Sequence, residues 1–327
     1  MPSSMSHTYF GIDIYNNLNI KTKNRINKEY FKTFCQGPDI FYFYNLFIGK
    51  KSKEIYKLGL NIHTHNTKDF FIHTIKYIMN NNLKENKQIM SFLYGYICHY
   101  YLDTICHPFI YYKTGKLIKK RKNTYKYNTK HADMEFFIDR YMINKREQIS
   151  PNKYKIHTQF LNVNTFDKDL HNLINNIFKI YKFKYNDISN IYLKAIKDMK
   201  LFFRLFCYDR FKIKYYIYLT IDHLTGKNIT KTNEFSYGGD YKKRINYLNL
   251  NNKKWIHPCD KSITSNNSFI DLYNDAINKC TKNIEIINNI INNNKLDIQK
   301  LNNIFDNTSY LTGLDCNDKR ELKYFEY

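Results

Sequence analysis

The sequence predicts an all-α fold, a multi-helix domain, and three observations carry that expectation. Apolar residues recur at helical spacing over most of the chain, while few segments alternate with period two. The long apolar stretch 86–107 carries a single polar ridge, His99, Asp103 and His107, at i, i+4 and i+8. A second helical stretch repeats the pattern with His131 and Glu135. Each four-residue step along an α-helix advances ~6 Å and turns only ~40°, so the ridge residues share one face. Polar groups in a core are costly unless they are engaged. Imidazoles flanking a carboxylate at this spacing form a ridge of metal ligands.

Taken in order, Ser6 caps a short amphipathic helix with His7 at its start and Ile12, Ile14, Tyr15 and Leu18 following. Gly37-Pro38-Asp39 opens a turn into an aromatic helix of about two turns. Asp39 either caps that helix or aims its carboxylate at a metal-bound water. His63 and His65 reach towards a site from a loop, and Thr67 caps the helix that runs on through Ile72, Ile75 and Ile78. Residues two apart diverge, so one of the two histidines is the ligand, and the spacing to Phe70-Phe71 favours His63. Pro108 disfavours helical geometry at the residue before it, which ends the central helix near His107. Residues 113–130 read as a basic, polar loop. A helix then carries His131 and Glu135. Seven of the eleven histidines fall by residue 131.

Beyond 145 the sequence shows little site chemistry. Helices are expected near 166–184, 187–206, 209–224 and 268–294. Tyr237-Gly-Gly-Asp240 is a turn, and Trp255 to Pro258 leads as a packed connection into the helix after Ser268. There is no Gly-rich phosphate loop, no Gly-x-Ser-x-Gly and no internal repeat. Nothing between 140 and 170 reads as a flexible linker. The 327 residues are therefore expected to form one domain, with a site-bearing part at 1–145 and a helical C-terminal part at 146–327.

The chain holds 52 Lys and Arg against 29 Asp and Glu, a net charge of +23. That balance suits anionic partners such as nucleic acid or an anionic membrane met peripherally. The heavy use of Lys, Asn, Ile and Tyr also follows from an AT-rich coding sequence, and the run Lys119 to Lys122 reads as a solvated surface. Seven cysteines, an odd number with no Cys-x-x-Cys, argue against a disulfide framework and for reduced thiols in an intracellular setting. No secretory signal is visible, and no run of ~18 apolar residues predicts a transmembrane segment.

These residues together resemble the zinc-dependent phospholipase C family, whose all-α fold is shared with the single-strand-specific zinc nucleases. The resemblance rests on Ser6-His7, Gly37-Pro-Asp39-Ile-Phe, His63 with Asn66 and Phe70-Phe71, Gly95 to Pro108 with its His-x3-Asp-x3-His core, and His131-x3-Glu135. Trp255-x-x-Pro258 with Ser268-Phe-x-Asp-Leu-Tyr273 resembles a bacterial branch of the same group. The resemblance implies two to three zinc ions. His7 and Asp103 would hold one. His63, His99 and Asp103 would hold a second, with Asp103 bridging. His131 and Glu135 would hold a third, with His107 as the remaining ligand. Asp39 would orient or deprotonate the attacking water. Two features depart from the secreted bacterial members. Six residues precede His7, where those enzymes use the amine of their first residue. Their third-zinc histidine also lies two residues beyond a proline, where this chain has Ile110.

The implied activity is hydrolysis of a phospholipid headgroup ester by zinc-activated water. Two other readings stay open at this level. One is a single-strand nuclease on the same scaffold, which the positive charge favours. The other is a metal-binding scaffold without turnover.

Overall fold

A computed structural model describes residues 4–118, 121–225, 232–239 and 242–326. Lys119 and Lys120 of the basic run, and Asp240 of the expected turn, lie outside the described residues. Among the described residues the regular structure is helical apart from one hairpin. The helices are α1 (Ser4–Asn17), α2 (Ile20–Lys23), α3 (Lys28–Phe34), α4 (Gly49–Thr64), α5 (Thr67–Asn80), α6 (Lys87–Thr114), α7 (Lys130–Glu147), α8 (Lys168–Ile177), α9 (Ile188–Phe202), α10 (Ile213–Thr225), α11 (Phe269–Asn292) and α12 (Ile298–Ile304). Strands β1 (Trp255–His257) and β2 (Asp260–Ser265) pair antiparallel, with a bulge between Ile256 and His257. The expected all-α class is the observed one.

Helix α6 is the axis of the molecule. It is apolar nearly all round, and most of its residues are buried. A helix of that kind belongs inside a protein rather than on its surface. It starts where Asn86 accepts the backbone N–H groups of Gln88 and Ile89. Helices α1, α3, α5, α7, α8 and α11 pack around it. On the α11 side, Asn283 donates to the Tyr101 hydroxyl, and Tyr94 donates to Asn288. Helix α11 is held at its own start by a reciprocal cap between Ser268 and Asp271.

The central helix does not stop at His107. It runs on through Pro108 to Thr114, where Gly115 closes it by donating to Tyr111 O. Pro108 has no N–H to give the Thr104 carbonyl four residues back. Packing offsets that loss, because the continued turn buries Phe109 and Ile110, and Phe109 meets Trp255 of β1 edge-on at 5.4 Å. Gly313, at φ +67°, lies against the Thr104 carbonyl. A β-carbon there would stand 2.7 Å from Thr104 O and 3.0 Å from Pro108 Cγ.

Three further expectations are corrected. Helix α1 is already helical at Ser4, so Ser6 lies inside it rather than capping it. His63 sits in the last turn of α4, not on a loop, and Asn66 rather than Thr67 stands at the start of α5. The stretch 113–130 is not wholly irregular, because α6 extends to Thr114 and a 3₁₀ turn occupies Lys122–Tyr127. All seven cysteines are free thiols. Among the described residues no helix is long and apolar enough to cross a membrane.

The contact behind Pro108 can be tested by filling it. Gly313→Ala places a side chain in left-handed backbone and against a carbonyl, and is expected to cost about 1–3 kcal/mol in denaturant unfolding. An unchanged midpoint would contradict the packing described.

Candidate metal centre

Four helices and one 3₁₀ segment converge at the middle of α6. Helix α6 supplies His99, Asp103 and His107, all buried. Helix α1 brings His7, whose Nε2 lies 3.2 Å from Asp103 Oδ1 and whose ring stacks on His99 at 4.3 Å. The end of α4 brings His63, and the 3₁₀ segment Gly37–Phe47 brings Asp39. Helix α7 brings His131 and Glu135. Every residue expected at the site from the sequence is therefore there. His65 is exposed and bonded to Thr64, so the structure separates it from His63.

Backbone carbonyls fix how three of the imidazoles face. His63 Nδ1 is 2.7 Å from Gly59 O, His99 Nδ1 is 3.1 Å from Cys35 O, and His107 Nδ1 is 2.8 Å from Tyr310 O. A carbonyl only accepts, so each Nδ1 carries a proton, and a metal-binding ring of this orientation would offer its Nε2. These Nε2 atoms point at carboxylates. His63 Nε2 is 3.1 Å from Asp39 Oδ1, His99 Nε2 is 3.1 Å from Asp103 Oδ2, and His107 Nε2 is 3.5 Å from Glu135 Oε1. His131 Nε2 is 3.2 Å from Glu135 Oε1. His99 Nε2 and Asp103 Oδ2 are buried and make no hydrogen bond despite their proximity.

Lone pair facing lone pair is repulsive unless a cation lies between them. With zinc–ligand bonds of ~2.0 Å, the edge of a coordination tetrahedron is ~3.3 Å, close to these separations. The donor atoms fall into three groups: His7, His99 and Asp103; Asp39, His63 and His99; and His107, His131 and Glu135. The set contains nitrogen and carboxylate oxygen and no thiolate, which suits zinc in a catalytic rather than a closed structural site. The carbonyl partners of Nδ1 are the supporting contacts that metal-binding histidines usually have.

The electrostatics follow the same geometry. Burial alone would push the Asp103 carboxyl up, but the His107, His99 and His7 rings beside it hold it well below the usual carboxylate range. Asp39 is likewise lowered against burial by His99 and His63. Burial disfavours a charged His107 ring, yet Asp103 and Glu135 prevail and push its pKa up to about 9. Without a metal, His107 is thus an imidazolium between two carboxylates at neutral pH.

The groups open onto a cavity of about 150 Å³ lined by Tyr42, Tyr56, Leu60, Tyr111 and Leu311 besides the site residues. That volume holds about five waters, or one phosphoryl group. None of its described lining residues is Lys or Arg, and two carboxylates, Asp39 and Glu135, face it. A divalent cation held among these donors would offset the two carboxylates for an anion entering the cleft. A wider groove of about 700 Å³ runs along α4, includes His65, and shares with the cleft the single residue Leu60.

Sequence reasoning missed three contributors. Gly37 has φ +51°, and a β-carbon there would lie 2.4 Å from His99 Cγ, so only glycine lets the 3₁₀ segment approach the ligand ring. The invisible contributor is Tyr310, which acts through its backbone. Its carbonyl holds His107, its N–H donates to His63 O at 2.9 Å, and its ring packs on His63. The C-terminal part thus helps to build the site. The third is Asp139, one turn beyond Glu135 on α7. It accepts the backbone N–H groups of Met5 at 3.0 Å and Ser6 at 2.9 Å, and the hydroxyls of Ser6 and Tyr237. A buried carboxylate 133 residues away in sequence from Ser6 therefore anchors the start of α1 and aims His7. The spacing His131, Glu135, Asp139 was a signal for it, repeating the i, i+4, i+8 ridge of α6.

Removing that anchor should act on metal as well as on stability. Asp139→Ala is expected to cost roughly 3–5 kcal/mol, since it strips several bonds to buried donors. It should also weaken zinc retention at His7 more than His7-independent retention. Asp139→Asn, which keeps the shape and part of the acceptor capacity, should recover a fraction of both. Zinc content in dialysed samples that matches the unsubstituted protein in both variants would contradict this role.

A family model described as zinc dependent phospholipase C matches residues 6–188, more than half of the chain. Searches of the curated proteins and of the solved structures gave no match. The matched span contains α1 from Ser6 on, the Asp39 segment, α4, α6 and α7, and hence every donor of the three groups. With its sequence motifs, helical fold and clustered histidine and carboxylate donors in agreement, this chain belongs to the zinc-dependent phospholipase C family.

Proposed function

We propose that the chain is a phospholipase C-like phosphodiesterase that hydrolyses the bond between glycerol oxygen and phosphorus in a phospholipid, releasing diacylglycerol and a phosphorylated headgroup. The observation that carries this reading is the convergence of five imidazoles and three carboxylates on one cleft, with no Lys or Arg among its described lining residues. His7 and Asp103 would hold one zinc ion. His63 and His99 would hold a second, and His107, His131 and Glu135 a third. Asp103 Oδ1 faces His7 while Oδ2 faces His99, which supports a bridging carboxylate. Zinc supplies Lewis acidity in such a site, lowering the pKa of bound water towards ~7 and neutralising phosphoryl charge.

The chain's own groups do the rest. Asp39 lies 3.1 Å from His63 Nε2 and also lines the cleft, so it would help His63 and His99 to hold an ion and would be placed to accept a proton from the attacking water. Its lowered pKa keeps it ionised and ready to do so at neutral pH. Tyr42 and Tyr56, Tyr111 and Leu311 wall the cleft beside the donor groups. The C-terminal part works as one unit with residues 1–145, because the Tyr310 carbonyl orients a ligand.

Asp103→Asn is expected to lower hydrolysis by roughly 10³-fold or more and to loosen metal. Full activity in that variant would sink the assignment. Phosphatidylcholine and single-stranded DNA, assayed side by side, separate the substrate classes. Cleavage of DNA alone would move the function to a nuclease, and zinc bound without cleavage of either would leave a scaffold.

A further inference from the structure

Helix α10 is built inside out. Phe211, just before it, is 76% exposed, and Ile213, Tyr216, Ile217 and Leu224 along it are exposed too, Leu224 at 78%. Leu205, in the turn that leads to it, is half exposed. The buried residue of α10 among those described is an acid, Asp222. Its carboxylate accepts the backbone N–H groups of Thr232 at 2.8 Å and Asn233 at 2.9 Å. Asp209 is turned inwards in the same way and accepts the N–H groups of Lys214 and Tyr215 and the Ser236 hydroxyl. These are the two carboxylates of residues 199–225. The exposed charges of that stretch are therefore cationic, Arg204, Arg210 and Lys212.

A surface of large apolar side chains with exposed cations at 204–212 beside it, and with its acids withdrawn, is not what a solvated helix presents. We propose that residues 205–224 form a docking surface for an anionic phospholipid membrane, with α10 lying in the headgroup plane. The charge pattern complements acidic headgroups, and the apolar side chains suit the acyl boundary below them. Tyr216 combines an apolar ring with a polar tip, as residues at that depth commonly do. Among the described residues no helix is long and apolar enough to span a bilayer, so this contact lies on the membrane.

The surface is tied to α7. Residues 232–239 bind Asp222 at one end and α7 at the other. Glu234 pairs with buried Arg140 at 2.8 Å, Phe235 packs on Phe136 beside Glu135, and Tyr237 donates to Asp139. Residues 232–239 thereby connect the α10 surface to α7, which bears His131 and Glu135. The inference deepens the phospholipase reading and rests on it for its purpose, but binding can be measured without turnover.

The test is co-sedimentation of the full chain with phosphatidylcholine vesicles, with and without phosphatidylserine. A water-soluble chromogenic phosphodiester is assayed alongside. Binding is expected with phosphatidylserine, weaker without it, and falling as salt rises. The double variant Phe211→Ser, Leu224→Ser should lose on the order of tenfold or more in vesicle binding. It should retain hydrolysis of the soluble ester and its melting temperature. Binding unchanged in the double variant, or no binding by the unsubstituted chain, would overturn the proposal. Self-association that the same substitutions abolish, with no vesicle binding, would assign the face to a second copy and overturn it equally. Vesicle binding with neither substrate cleaved would instead overturn the hydrolase reading and leave the surface standing.

Discussion

Three backbone carbonyls decide the character of this protein. Gly59, Cys35 and Tyr310 each take the Nδ1 proton of a buried histidine and leave its Nε2 facing a carboxylate. In a core, such an arrangement is costly by itself. Two remedies exist. The rings can take up protons, as His107 does with a pKa of about 9 in the absence of metal, or a divalent cation can sit among the donors. The cation satisfies all the lone pairs at once. Because His107 must give up its proton to bind it, metal binding and proton release are linked. The fold therefore spends its most buried polar contacts on a geometry that makes chemical sense with metal bound.

The rest of the structure keeps that geometry in place. Helix α6 is enclosed on all sides, so its ridge cannot rotate away. Helix α7 carries a ridge of the same period, and its third member, Asp139, reaches across to hold the start of α1. His7 is thus aimed by a residue on the helix that also supplies Glu135. The glycine at 37 lets Asp39 approach the ligand rings closely, and Tyr192 secures it by donating to Gly37 O at 2.9 Å. Charge is segregated between site and surface. Carboxylates and imidazoles fill the cleft, while no lysine or arginine stands among its described lining residues.

What was legible in the sequence was what local spacing encodes. The ridges of α6 and α7 could be read because a four-residue step keeps side chains on one face. His63 was separable from His65 by its distance to Phe70-Phe71. Reading failed where tertiary contacts override a local rule. Pro108 ought to end a helix, but burial of Phe109 and Ile110 carries the helix past it. Ser6 looked like a cap, but the acceptor at that helix start comes from α7. Tyr310 could not be found at all, since a carbonyl has no residue signature. The apolar spacing of 209–224 correctly gave a helix, yet spacing does not say which face is inside. Only the buried contacts of Asp222 show that the apolar face looks outward.

The central claim is that these donor groups bind zinc, and elemental analysis of protein purified without added metal or chelator tests it most directly. The account predicts two to three zinc ions per chain, in keeping with three converging groups of donors. Absence of stoichiometric metal, even after zinc is added back, would contradict it. The histidines would then be buried ion-pair partners of Asp39, Asp103 and Glu135, and the hydrolytic reading would fall with the metal.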